Sequence, residues 1–297
     1  MAHWLQKSIL PQAFKDSPIF ILSPNQRSFA ETDIICASSK TDNRSYPMRT
    51  SSKVILMVLL AWAPLSSFGQ TSASIRIKGG WNTYAMSDLK SLQMSVVGIY
   101  RSNGLATKAV EQFPPYFSLQ GQIAASVPGT KIGKTNLGLL FEILSTGGRV
   151  HYRDYSGEIR FDQLLSGFAI GTFVETEIKY SKHLTWLLAL ETSLLFSELE
   201  NKQVLRVGRE RTSQQIAFNA IAFAMQPRIM PALTFGPAML GLSCGYQFSF
   251  PAPLKLSYDK RVSFVDDKNK KIKVNWSGIR LGILVGYNFQ SDKRFKR

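Results

Sequence analysis

From Gln70 onward, bulky apolar residues recur at every second position rather than with the 3.6-residue period of a helix. The last stretch shows it best: Ile279, Leu281, Ile283, Val285, Tyr287 and Phe289 alternate with Gly278, Arg280, Gly282, Leu284, Gly286 and Asn288. Leu240, Leu242, Cys244, Tyr246 and Phe248 oppose Gly241, Ser243, Gly245 and Gln247 in the same way. Leu184, Trp186, Leu188 and Leu190 oppose Thr185, Ala189 and Glu191. The same split runs through 168–178, 137–143, 117–123 and 75–81, whereas the stretch from 216 to 225 is apolar on both faces. The pattern predicts eight strands, near 75–84, 115–127, 134–148, 160–178, 184–199, 211–227, 235–250 and 273–289. Their connections alternate between long (85–114, 149–159, 200–210, 251–272) and short (128–133, 179–183, 228–234).

Most of these stretches hold 13 or more residues, beyond the five or six of an ordinary soluble strand. Tilted strands that cross a membrane need about 9–11 residues plus their extensions. An even strand number with short turns on one side and long loops on the other is the arrangement of a transmembrane β-barrel. Alternation alone does not say which face meets solvent, since a soluble eight-stranded barrel places its apolar face inside. Charge decides. On the stretches just named, Arg76, Lys78, Arg280, Glu142, Glu175, Glu177 and Glu191 all share the face rich in Gly, Ser and Ala. Small residues and a few charges suit a crowded lumen, and a hydrated outer surface would carry more charge. Tyr180, Trp186, Tyr287 and Phe289 fall at the short-turn ends of their strands, and Phe117, Phe196, Phe248 and Phe250 at the loop ends, as two interfacial girdles would. The fold class expected is all-β, an eight-stranded antiparallel up-and-down transmembrane β-barrel preceded by a signal peptide.

That leader is read at 48–69. Arg49 and Lys53 precede the apolar run 54–63, Pro64 breaks it, and small residues flank a cleavage position between Gly69 and Gln70. Ten apolar residues are too few to span a bilayer. Residues 1–47 show no sustained periodicity and read as an upstream extension, non-native or disordered, with translation starting at Met48. The domain division is therefore 1–47 extension, 48–69 leader, 70–289 barrel and 290–297 basic tail.

The opening stretch, Ile75-Arg76-Ile77-Lys78-Gly79-Gly80-Trp81-Asn82, directly after the leader, resembles the first strand of the PorT-like outer-membrane β-barrel family of Gram-negative bacteria. The closing stretch 278–289 resembles the terminal strand that the barrel-assembly machinery recognises, with Tyr287 and Phe289 as the signal-like aromatics. Eight residues follow Phe289, whereas such strands normally end their chain on the aromatic. The resemblance implies a barrel of the small OmpA and OmpX size in the cell outer membrane, the assembly machinery as a partner, and little about biochemical role.

Composition refines this picture modestly. The chain has 297 residues, a net charge of +16 and two cysteines, too few for a disulfide scaffold or a four-cysteine zinc site. Removing 1–69 takes away seven basic and four acidic residues, leaving 29 and 16, with Cys244 the remaining thiol. No phosphate-cradling loop, paired-histidine metal helix or nucleophile elbow is present, so no catalytic residue, metal or cofactor is assigned. His151, Ser156 and the acids of the same loop could in principle build a lipid A-modifying hydrolase, but triads are defined by geometry.

The seven charges of the inner face are expected to pair as a lumen network, because ionised groups in a narrow lumen are costly unless paired. Lys255, Lys260, Arg261, Lys268, Lys270 and Lys271 in loop 251–272 are candidate contacts to lipopolysaccharide or a partner. Nucleic acid is not expected for an exported chain. The functional reading is a monomeric, non-enzymatic barrel with a polar plugged lumen and outer-membrane lipid around it, acting structurally or through loops 85–114 and 251–272. A small-solute pore or secretion accessory, and the hydrolase, are the alternatives.

Overall fold

A computed structural model describes residues 72–130, 133–155, 157–266 and 268–290. The expected leader at 48–69, the expected extension before it and the tail past Gln290 lie outside the described residues. In chain order the elements are β1 (Ser72–Asn82), α1 (Ser87–Ser102), β2 (Lys108–Gln112), β3 (Tyr116–Thr130), β4 (Gly133–Arg153), β5 (Gly157–Lys179) and β6 (Leu184–Val207). There follow β7 (Glu210–Phe235), β8 (Ala238–Ser249), β9 (Ala252–Pro253), β10 (Lys255–Leu256), β11 (Lys273–Val274) and β12 (Gly278–Gln290). Eight of them close an antiparallel ring in the order β1, β3, β4, β5, β6, β7, β8, β12 and back to β1. The chain enters and leaves at one end, where Ser72 pairs with Gln290. The turns β3–β4, β5–β6 and β7–β8 share that end, called here the turn end.

The alternating apolar positions point outward. Ile77, Ile143, Ile221, Leu242 and Ile283 are each more than half exposed on the barrel wall, while their neighbours in sequence are buried in the lumen. This is the inverted distribution of a transmembrane barrel, with apolar side chains toward lipid and polar ones toward the axis. Aromatics mark both edges of the belt, with Tyr287 against Phe289 at the turn end and Trp81 opposite Phe117 at the other.

Three expectations from the sequence are corrected. The connections at 149–159 and 200–210 are not long loops: β4 and β5 join through 154–156, and β6 and β7 through Gly208 and Arg209. Gly208 has φ of 58°, which a tight two-residue hairpin turn needs and a side chain would resist. The expected turn at 228–234 is strand: β7 continues through Pro227 and Pro231, and the chain reverses at Gly236 and Pro237. The stretch 85–114 is not an open loop but holds α1 and β2, folded back onto the barrel.

The wall is consequently lopsided. β4 to β7 run 21, 23, 24 and 26 residues, whereas β1, β3, β8 and β12 have 11, 15, 12 and 13. Beyond the belt the four long strands form a tall wall whose inner face is mostly apolar, with Gln163, Asn201 and Gln203 buried on it. The two long connections pack onto that face. Val96, Val97 and Tyr100 of α1 meet Val150, Ile159 and Phe161 of the wall. β2 pairs with β4 where β3 has ended, and β10 pairs with β7 where β8 has ended. Both free edges are thereby covered in part, which limits adventitious pairing along them. Asp88 in the first turn of α1 accepts from the Lys273 backbone N–H and from Lys270 Nζ, tying the helix to the second connection.

The cap has its own core. Trp276 is fully buried, meets Tyr84 edge to face at 5.0 Å and donates from its indole nitrogen to Ser197 Oγ at 2.8 Å. Gly167 makes the room, since a Cβ there would lie 3.0 Å from the indole. Phe218 stacks on Phe264 at 4.5 Å beside Leu254, Leu256 and Ile272. Trp276→Ala should therefore remove the keystone of the cap. A loss of about 3–5 kcal/mol is expected, read as a lower urea midpoint for the heat-modifiable band of the detergent-solubilised barrel.

Candidate functional site

Below the cap, the inward positions of all eight strands converge on a lumen too narrow for an open channel. Arg76 from β1 places Nη1 2.6 Å from Glu175 Oε1 of β5. Arg228 of β7 reaches the other oxygen of Glu175 at 3.1 Å and Glu191 Oε1 of β6 at 3.0 Å. Lys78 Nζ lies 3.8 Å from Glu191 Oε2, and Gln120 and Gln122 each donate to a separate oxygen of that carboxylate at 3.0 Å. Asn136 donates to Glu175 and Glu177, and itself accepts from Ser126. Arg76, Lys78, Glu175, Glu191 and Arg228 are all buried.

Six of the seven lumen residues anticipated from the alternation thus stand in ion pairs: Arg76, Lys78, Glu142, Glu175, Glu191 and Arg280. The seventh, Glu177, is held by Asn136 instead, at 2.7 Å. Glu142 and Arg280 form a second, looser pair at 3.9 Å, and the Arg280 guanidinium lies 5.2 Å from the Tyr84 ring centroid beneath the cap. The residue that joins the network, Arg228, escaped the sequence reading because Pro231 placed 228–234 in a turn. Its signal was available: Ala224, Gln226, Arg228 and Met230 continue the inward phase of β7.

The interior is not polar throughout. Leu187, Met230, Ala232, Met239 and Leu284 form an apolar cluster toward the turn end, and the cap core fills the opposite end. The ionic array is sandwiched between them. The charged groups are kept from bulk water on both sides, so their mutual contacts are weakly screened.

The six basic residues of 251–272 do not gather into one site. Lys255, Lys260, Arg261, Lys268, Lys270 and Lys271 are exposed over the cap. Lys255 lies opposite Asn219 of β7, Lys270 reaches Asp88, and Arg261 pairs with Asp259. The Arg261 backbone N–H, with its guanidinium, holds Asp259 below the usual carboxylate range. Tyr287 and Phe289 stand on the outer belt opposite Ile75 and Ala73. His151 lies on the outer face of β4, 3.3 Å from Glu158 Oε1, while Asp154 accepts from the Tyr152 hydroxyl, which raises the Tyr152 pKa. Ser156 lies outside the described residues. Cys244 is a free, exposed thiol on the outer face of β8.

No protein-family model and no curated protein sequence matches the chain. Among solved structures, Ail, the attachment invasion locus protein of Yersinia pestis, is similar in two forms. In complex with the heparin analogue sucrose octasulfate it is 10% identical, with 74% of this chain and 99% of that one covered at a TM-score of 0.32. Without that compound it is 11% identical over the same shares at 0.28. The transport unit of the autotransporter AIDA-I from Escherichia coli is 10% identical, with 90% and 99% covered at 0.26.

Deleting the Arg228 charge should be costly because it leaves parts of two buried carboxylates unpaired. Arg228→Met is expected to lose about 3 kcal/mol, near the lower end for breaking a buried pair because Arg76 and Lys78 remain. Adding Glu191→Gln should restore much of it. Urea midpoints of the single and double variants decide; equal midpoints would remove the clamp role.

Proposed function

We propose that the chain is a monomeric, non-enzymatic outer-membrane barrel with a closed lumen, presenting its capped end to the exterior as a contact surface. One observation carries this reading: the lumen is filled twice, by the ionic array around Arg228 and by the apolar cap around Trp276. Either layer blocks the axis, so solute passage would require both to rearrange. The orientation follows from the ends. Both ends of the barrel chain lie at the turn end, where every connection is short, while the two long connections lie at the other end; in exported barrels the former side is periplasmic. The leader read at 48–69 supports export, and the terminal strand with Tyr287 and Phe289 supports handling by the assembly machinery. The likeness to the PorT-like family rests on the first and last strands.

Two features support the non-enzymatic reading. His151 points outward against Glu158, and the lumen carboxylates are held by cations and amides rather than poised beside an open pocket. The cap offers a contact surface, with Lys255, Lys260, Arg261, Lys268 and Lys271 exposed on it. Their suggested contacts are outer-leaflet lipopolysaccharide or a partner molecule, through charge-assisted hydrogen bonds.

Purified protein in a planar bilayer is expected to show no reproducible unitary conductance; discrete steps would overturn the closed-lumen reading in favour of a small-solute pore. Orientation is checked separately in a Cys244→Ser background. An impermeant maleimide should label Lys260→Cys on intact cells and leave His183→Cys, at the turn end, unlabelled until the cells are opened.

A further inference from the structure

The outer face of the tall wall changes character above the apolar belt. On β5 the last large apolar outward residue is Leu164, and Asp162, Arg160 and Glu158 follow it. On β6 the sequence past Phe196 is Glu198, Glu200, Lys202, Val204 and Arg206 on the same face. The strand register then does something unusual. Arg206 stands directly opposite Arg211 of β7, and Arg160 stands opposite Val204, two residues away on the same face. Arg209 sits in the turn that joins β6 to β7. These four arginines, with Glu158 and Val204, line one cleft of about 430 Å³.

Like charges facing each other across an antiparallel pair are destabilising. A surface pair of that kind is normally relieved by a carboxylate, and here the nearby acids are engaged elsewhere. Asp162 takes Arg149 at 2.6 Å and Arg160 at 3.0 Å; Glu158 stands opposite Arg206 and lines the same cleft, but its carboxylate turns to His151 at 3.3 Å. Among the described residues, Arg206, Arg209 and Arg211 form no ion pair. The floor between them is apolar, since Val204 is 3% exposed although it faces outward. Planar guanidiniums fanned around a small apolar floor, with donors to spare, match the oxygens of a phosphate better than a single carboxylate.

We propose that this cleft binds a phosphate group carried by the core sugars of the surrounding outer-leaflet glycolipid. The height of the cleft selects the source. Leu164 stands opposite Glu200, so from that level Arg160 is four residues up, about 13 Å along the strand, and Arg206 six, about 20 Å. With the strands tilted, that range lies above the acyl chains, in the layer of phosphorylated sugars. The cleft also opens on the outward side of the wall, toward neighbouring lipid, rather than over the barrel axis. The inference rests on the outer-membrane reading and orientation proposed above, and it names a ligand site separate from the lysines of the cap.

The test uses the full-length barrel in detergent, titrated with lipopolysaccharide truncated to its phosphorylated inner core, with the same glycolipid dephosphorylated, and with inorganic phosphate. At least tenfold tighter binding of the phosphorylated glycolipid is expected. Arg206→Gln/Arg211→Gln should abolish that preference while heat-modifiability is unchanged, and Arg206→Lys/Arg211→Lys should keep part of it. Equal affinity for the two glycolipids, or a preference that survives the glutamine pair, overturns the site. Binding of inorganic phosphate without binding of the glycolipid overturns the lipid source. A conducting barrel that still shows the preference would sink the closed-lumen reading and leave this one standing.

Discussion

Arg228 connects two carboxylates, Glu175 and Glu191, that sit on neighbouring strands in a lumen eight strands wide. A barrel of that circumference has room for side chains and little else. Any charge turned inward must therefore find its partner inside, because desolvation costs several kcal/mol per ion and water cannot repay it. Arg228 meets that condition for two strands at once, and Arg76 and Lys78 complete it from β1. The amides of Gln120, Gln122 and Asn136 add further donors, so that neither Glu175 nor Glu191 depends on a single contact. Glycine follows as a volume requirement where an arginine stem passes: a Cβ on Gly286 would lie 3.0 Å from Arg76 Cγ, and one on Gly245 2.9 Å from Arg228 Cβ.

The array cannot extend upward, since the short strands end while β4 to β7 continue. Past that level the long strands have an inner face and no opposite wall. Its residues are mostly apolar, with Gln163, Asn201 and Gln203 buried among them, and the two long connections supply the missing wall. This explains why those connections are rich in buried side chains such as Leu89, Val96, Phe264 and Trp276, instead of the small polar residues of free loops. It also explains why β2 and β10, short as they are, sit where they do: each begins to pair with a long strand near where its ring neighbour stops. What this end of the barrel presents is the back of the cap and the outward face of the tall wall, not a set of open loops.

Much of this was legible from alternation. A period of two assigns each residue to a face irrespective of turn positions, so Arg76, Lys78, Glu142, Glu175, Glu191 and Arg280 could be placed in the lumen before any contact was known. Strand ends were less legible. Residues 149–153 and 200–207 look like loop because they are charged, and they are charged because they stand above the belt on an outer face that meets water or headgroups. The cap was hidden for a different reason. Leu89, Leu92, Val96 and Val97 carry a helical period, but it falls in a stretch framed by two strands and with no capping residue; Met86 stands at the N-cap with φ of 44° and no side-chain bond. Arg228 was lost to a correct rule applied one step too far, that proline avoids strand interiors.

The exception to that rule shows how the ring is held at its weakest joint. Pro227 and Pro231 have no N–H to give, and both lie on the side of β7 that faces β8. The ladder with β6 runs unbroken through both prolines, whereas pairing with β8 lapses at 226–227 and again at 230–231. Between the two gaps stand Arg228 opposite Gly245 and Ile229 opposite Cys244. Gly245 lets β8 come close, because a Cβ there would lie 2.7 Å from the Pro227 carbonyl oxygen. At this joint main-chain bonding is thin, and what fixes the position of β7 is the side chain of Arg228, drawn inward by carboxylates of β5 and β6. The ionic array therefore does more than block the axis. It supplies across the lumen part of the cohesion that the backbone ladder lacks along its wall, which is why a cation at this position stands between two prolines.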